Sequence, residues 1–145
     1  MIFILVLATI ALLIDQITKA LVLTNLALGE SATVIPNILD FTRVHNTGVA
    51  FGLFRDANSL SILCVVIGCI LLMFIILNLK HASVAQKIAG SLIIGGAVGN
   101  IIDRIRFGAV IDFIDFKIWP VFNIADTCIS IAAGIFVISI LIKRK

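Results

Sequence analysis

Leu-Ser-Ile-Leu-Cys-Val-Val-Ile-Gly-Cys-Ile-Leu-Leu-Met-Phe-Ile-Ile-Leu-Asn-Leu, residues 60–79, runs for twenty positions without a charge. A helix rises about 1.5 Å per residue, so about twenty such residues cross the roughly 30 Å of hydrocarbon in a bilayer. Val121 to Ile142 repeats the pattern with Asp126 as its only charge. Two further stretches are interrupted. Ile2 to about Val22 contains Asp15 and Lys19, and Ile88 to about Phe107 is apolar to Ile102 and then broken by Asp103, Arg104 and Arg106. The reading is an all-α membrane protein, a single membrane-embedded domain over residues 1–145. It has four transmembrane helices (spans about 2–22, 60–79, 88–107 and 121–142) and outer loops at about 23–59 and 108–120.

Composition agrees. Hydrophobic residues make up 61% of the chain and charged ones 13%, with a mean hydropathy of +1.25, which excludes an ordinary soluble domain. The net charge of +3 includes no basic stripe interleaved with aromatics, so nucleic-acid binding is excluded as well. The first segment lacks a basic start and a clear small-residue cleavage site and carries Asp15 in its apolar run, so it is read as a retained helix. Cys64 and Cys69 lie five apart in one span and Cys128 in another, which gives no disulfide framework. His45 and His81 fall in different loops with no nearby second ligand, and a His-Glu-x-x-His helix is absent, so no metal is expected. Neither a Gly-x-Ser-x-Gly turn nor a phosphate-binding Gly-Lys-Ser/Thr loop occurs.

With four spans, both termini share a side. Lys80, Lys87, Lys143, Arg144 and Lys145 oppose Arg43, Arg55, Arg106 and Lys117, and this five-to-four majority in short segments places both termini in the cytoplasm. The two outer loops are then extracytoplasmic. Partial alternation over Ile38–Val44 predicts a short strand on the membrane surface, and Asn46-Thr47-Gly48 reads as a turn. Ala50-Phe51-Gly52-Leu53-Phe54 is expected to dip aromatics into the interface.

Charged groups in a span mark function by default, because burying one in hydrocarbon costs about 2.5–3.5 kcal/mol on insertion scales. Counting helical rise from the outer ends puts Arg104 about 5 Å, Asp126 about 7 Å, and Asn100 and Asp15 each about 10 Å below the outer edge. Asn123, Asp126, Thr127, Ser130 and Gly134 share one helical face, and Gly96, Asn100, Asp103 and Arg104 another; both faces should point into the bundle. Asp15 and Lys19, four apart, are expected to form an ion pair that shapes the site. Gly95, Gly96 and Gly99 are expected to allow close helix approach.

Four aspartates then compete for chemistry. Asp103 has Arg104 and Arg106 beside it and is assigned to structural pairing with them; Asp115 lies near Lys117 and is read as solvated. Asp112 sits among Val110, Ile111, Phe113 and Ile114, where desolvation favours its neutral form, and is the natural partner for Asp126. Two carboxyls that share a proton can polarise a peptide carbonyl and activate water. Asn100, Asn123 and Arg104 are expected to position them. On spacing alone, structural and transport uses stay open beside hydrolysis. Transport needs a continuous polar track, which residues 60–79 and 132–142 hardly offer.

Four motifs extend the reading over nearly the whole chain: Asp15-Gln16-Ile17-Thr18-Lys19; Asn46-Thr47-Gly48-Val49-Ala50-Phe51; Gly95-Gly96-Ala97-Val98-Gly99-Asn100 continuing through Asp103-Arg104, Gly108, Val110 and Asp112-Phe113; and Trp119-Pro120-Val121-Phe122-Asn123-Ile124-Ala125-Asp126. Together they resemble the bacterial lipoprotein signal peptidases, also called signal peptidase II. The resemblance implies an aspartic endopeptidase of the bacterial cytoplasmic (inner) membrane with four transmembrane helices and a small outer β-cradle from the first loop. It implies Asp112 and Asp126 as the catalytic dyad, facing the outer leaflet. Asn100, Arg104 and Asn123 would be supporting residues, and Asp15, Lys19, Asn46 and Gly48 further motif members. The implied substrates are diacylglyceryl-modified prolipoproteins, cut just before the lipidated cysteine. Membrane lipid is the surrounding partner; no cofactor, metal, nucleic acid or obligate protein partner is implied.

Overall fold

The structure, a computed structural model, describes residues 2–48, 57–78 and 82–143. Helix α1 spans Ile2–Asn25, strand β1 Ser31–Ile35, β2 Leu39–Asn46, helix α2 Ala57–Asn78, α3 Val84–Phe107, β3 Val110–Asp115 and α4 Ile124–Lys143. The chain is thus mostly helical with a small sheet. By length and composition α1 and α3 can each cross a membrane, whereas the apolar part of α4 among the described residues, Ile124–Ser139, is shorter. The aromatic dip expected over Ala50–Phe54 and the loop residue His81 lie outside the described residues.

The helix ends explain where the elements differ from the hydropathy runs. Ser83 opens α3 with a capping box: its hydroxyl accepts from Gln86 N, and the Gln86 side chain accepts from Ser83 N. The helix therefore begins at Val84, ahead of the apolar run expected from 88. It ends where Gly108 adopts φ 69°, a left-handed conformation that glycine takes without strain, and its N–H bonds Arg104 O. Helix α4 begins later than the expected span at 121, because Phe122 is spent on a bridge to Ile114 of β3.

The sheet is antiparallel in the order β1-β2-β3. Its third strand is a correction to the expected cradle, which the first loop alone was to form. β3 comes from the connection between α3 and α4, and Val110 to Phe113 on it are fully buried. These four residues read as another apolar stretch flanking one aspartate, so hydropathy hides their strand character. A bulge between Phe41 and Val44 adjusts the β2–β3 register, which pairs Val44 with Asp112 and Asn46 with Val110. Arg43 of β2 ties the sheet to α1: its Nη1 donates to Leu26 O at 2.9 Å and Leu23 O at 3.4 Å, placing a cation at the helix's negative end.

The packing is inverted relative to a water-soluble bundle. The buried face of α1 carries Ile4, Ala8, Ala11, Asp15, Lys19 and Val22, while Phe3, Leu5, Leu13, Ile17 and Leu21 are exposed. Large apolar side chains outside and small or polar ones inside suit a lipid surround, where exposed hydrocarbon is not penalised and polar groups need internal partners. Helix α3 is the centre. Cβ atoms added at Gly95 and Gly96 would stand 2.5 Å from Ala8 O of α1 and 2.7 Å from Ala125 O of α4, so glycine is what lets both helices in.

Candidate active site

The segment after β3 folds back on it. Phe122 N donates to Ile114 O (3.2 Å), and Ile114 N and Phe113 N both donate to Phe122 O (2.8 and 3.0 Å). This return brings Asn123 and the first turn of α4 against Asp112. Asn123 is the hinge of the arrangement. Its Oδ1 accepts from Asp126 N at 2.9 Å, and its own N–H donates to Asp126 Oδ2 at 3.3 Å, a reciprocal cap of α4. Its Nδ2 donates to Asp112 Oδ1 at 2.6 Å. One side chain therefore touches both aspartates.

Asp112 is 1% exposed and takes a second bond on Oδ2, from Asn46 Nδ2 at 2.9 Å. That amide is aimed from behind: Gly48, at φ 76°, donates its N–H to Asn46 Oδ1 at 2.9 Å, leaving Nδ2 for the carboxyl. Asp126 is half-buried and accepts Asn100 Nδ2 on Oδ1 at 2.9 Å. Asn100 Oδ1 in turn accepts from Lys19 Nζ (2.9 Å) and Asn123 Nδ2 (3.2 Å). Lys19, fully buried, lies 2.9 Å from Asp15 and 2.7 Å from Asp103.

The two carboxyls stand in different fields. Burial pushes Asp112 up to about 6, with the nearby Asp126 charge adding to the rise and the Asn46 and Asn123 bonds and Lys19 working against it. Asp126 sits in the first turn of α4 and is only half-buried. The arrangement thus sets a buried carboxyl inclined to hold a proton beside a half-buried one at the start of α4. A cavity of about 580 Å³ opens onto the second, with Phe116, Trp119, Phe122 and Ile131 beside Asp126, Thr127 and Ser130.

The residues singled out in the sequence are mostly brought together here: Asp15, Lys19, Asn46, Gly48, Asn100, Asp112, Asn123 and Asp126. Arg104 is not. Its Nη1 bonds Asn100 O of its own helix at 3.3 Å and reaches neither aspartate. Asp103 does have a structural pairing role, but its cation is Lys19 from α1 and not its sequence neighbours; Arg106 instead lies over the Phe107 ring. Asp115 is held by Thr42 Oγ1 and Lys117 and is half-buried, not simply solvated; these bonds keep its carboxyl below the usual range. Sequence reasoning missed Gln16, whose Nε2 donates to both Asp15 and Asp103 at 3.2 Å. Its signal was the same as that of Asp15, a polar group inside an apolar run. Among the described residues, no three His, Cys, Asp or Glu side chains are grouped to hold a metal.

Residues 7–142 match the family model described as signal peptidase (SPase) II. A lipoprotein signal peptidase of Halothermothrix orenii is 39% identical over 100% of this chain and 98% of its own length, and one of Moorella thermoacetica is 41% identical over 86% and 83%. Two solved structures titled as bacterial membrane enzymes superpose with a TM-score of 0.84 each, at 32% and 33% identity, covering 99% and 96% of this chain and 90% and 92% of theirs. Sequence, fold and polar cluster converge, and the chain belongs to the signal peptidase II family of membrane peptidases.

Proposed function

We propose that the protein is an aspartic endopeptidase that removes the signal peptide from diacylglyceryl-modified prolipoproteins, cutting just before the lipidated cysteine, with Asp112 and Asp126 as its catalytic dyad. The observation that carries this reading is Asn123, which bonds both carboxyls and so holds them to one site. Asp112, the member that holds the shared proton, gives it to the scissile carbonyl oxygen as the attack proceeds. Ionised Asp126 takes a proton from water, whose oxygen attacks the carbonyl carbon. Collapse of the tetrahedral intermediate breaks the C–N bond; the proton gained by Asp126 passes to the leaving nitrogen, and the one given to the oxygen returns to Asp112. No cofactor is required for these steps.

The reading extends to the membrane. All four helices span it, both termini are cytoplasmic, and the sheet end faces the outer leaflet, where the substrate's acyl chains already reside. Lipid burial at about 0.8 kcal/mol per methylene supplies much of the binding, and the chemistry is left to the dyad. The apolar cavity beside Asp126 suits the lipid-bearing residue. Purified protein in lipid vesicles should cleave a precursor only after diacylglyceryl transfer. Asp112→Asn and Asp126→Asn, still folded, should each lose cleavage by a factor on the order of 10² to 10⁴. Normal rates in either variant, or equal cleavage of unlipidated precursor, would refute the assignment.

A further inference from the structure

Three charged side chains are fully buried behind the dyad. Asp15, Lys19 and Asp103 are 0%, 2% and 1% exposed, and the Lys19 ammonium bonds both carboxylates. Taking such groups out of water costs several kcal/mol per ion, and replacing a buried ion triad by packed apolar groups is often neutral or stabilising. Stability alone is therefore a poor explanation for this triad.

Its second set of bonds gives a better one. Asp15 Oδ1 accepts from Ala125 N at 2.9 Å, the residue immediately before Asp126. Asp103 Oδ2 accepts from Ile111 N at 3.1 Å, the residue immediately before Asp112. Lys19 itself bonds Asn100 Oδ1, and this forces the Asn100 amide to turn its Nδ2 toward Asp126 Oδ1. Gln16 Nε2, bonding both Asp15 and Asp103, braces the pair from the side. Gly99 keeps the seat open, since a Cβ there would overlap the Asp15 carboxylate.

We infer that Lys19 is a positioning residue: through Asp15, Asp103 and Asn100 its single ammonium sets the separation and orientation of Asp112 and Asp126. Each carboxylate of the triad grips the backbone that carries one member of the pair, and the lysine joins the two grips. A displacement of about 1 Å at a reacting group can cost about 10² in rate, so such a joint has catalytic leverage without touching substrate. The inference rests on the dyad reading above.

The test compares Lys19→Met with wild type in vesicles, using a diacylglyceryl-modified precursor and measuring kcat, KM and the pH profile of kcat/KM. The charged and titratable groups around the site are Asp15, Asp103, Asp112 and Asp126, with Arg104 on α3, Cys128 on α4 and, on β2, His45 with Arg43; burial and the Arg43 charge push the histidine below its usual value. Lys19→Met is expected to lower kcat at least tenfold with KM within twofold. It should also move the alkaline limb of the profile upward, because the Lys19 charge is one of those holding Asp112 down. If Lys19→Met fails to fold, Lys19→Met with Asp103→Asn removes one cation and one anion together. The same drop in kcat at constant KM is expected there. A wild-type kcat in whichever variant folds overturns the inference, as does a loss confined to folded yield with an unmoved pH profile. Failure of the dyad reading would look different, as hydrolysis retained by Asp112→Asn or Asp126→Asn.

Discussion

At the sheet end of the helices the buried side chains include Asp15, Lys19, Asn100, Asp103, Asp112 and Asn123; farther along the same helices they are Ile4, Ala8, Ala11, Ala89 and Ala132. The first set joins α1, α3, β3 and the cap of α4 by hydrogen bonds and ion pairs. In the second region the buried polar group among the described residues is Ser91, whose hydroxyl turns onto Lys87 O in its own helix. Cohesion there comes from backbone proximity, with Gly95 against Ala8 and Ala11. Directional bonds fix atoms to fractions of an ångström but leave unpaired charges when broken, whereas small-residue packing fixes only the distance between helices. A hydrolytic site needs the first kind of order. A membrane anchor needs only the second.

Breaking the polar end should therefore damage catalysis more than stability. Asn123→Ala removes the N-cap and the link between the carboxyls at once. The cap is worth about 1 kcal/mol of stability. The lost positioning should cost kcat about 10². Thermal unfolding in detergent and initial rates on a lipidated precursor separate the two, and a variant that loses stability but keeps its kcat would dissolve the distinction between the two regions.

The opposite pattern is expected of Gly95→Ala. Its Cβ would stand 2.5 Å from Ala8 O and 2.8 Å from Ala11 Cβ, forcing α1 and α3 apart at an overpacking cost of about 1–3 kcal/mol. The rate per folded molecule should change little, because none of the hydrogen bonds to Asp112 or Asp126 involves Gly95. A kcat loss comparable to that of Asn123→Ala, with unfolding unchanged, would show that the two regions are mechanically one.

How far this contrast could be read in the sequence follows from the physics of each part. Hydropathy reports burial in lipid, so the long apolar runs at 60–79 and 121–142 announced helices without any tertiary information. It cannot report a strand whose successive residues are all buried and so show no alternation, and β3, with Val110 to Phe113 buried in a row, is hidden inside the outer loop. Helical periodicity put Asp15 and Lys19 on one face, and counting rise placed Asp15, Asn100 and Asp126 near one depth. Proximity in sequence matches Asp103 to Arg104 and Arg106. In the structure α1 runs alongside α3, and Lys19 reaches it first. Periodicity puts Asn123 on a helical face, yet it precedes α4 and caps it, and a capping amide can point one group at its own helix and the other at β3. Depth and a face shared with Asn100 and Asp103 mark Arg104 as functional, but neither fixes where a long guanidinium ends, and it turns onto Asn100 O of its own helix.

The finest probe of the polar end is the titration of Asp112 itself. Carbon-13 labelling of aspartate carboxyls in the detergent-solubilised protein should show one group with an inflection near 6, absent from Asp112→Asn. Desolvation is the largest cause, so most of the elevation should survive changes elsewhere in the site. The charge of Asp126 also raises it, and in Asp126→Asn that contribution vanishes; the Asp112 inflection must then move down, never up. Removing the Asn46 amide by Asn46→Ala deletes a bond that favours the ionised form, so there the inflection must rise. Opposite movements in the two variants would show that the elevation arises from burial and a neighbouring anion together. An inflection indifferent to Asp126→Asn would mean that the two carboxyls do not sense each other, and the polar end would then be a scaffold of the same kind as the far end, held by bonds instead of by glycine.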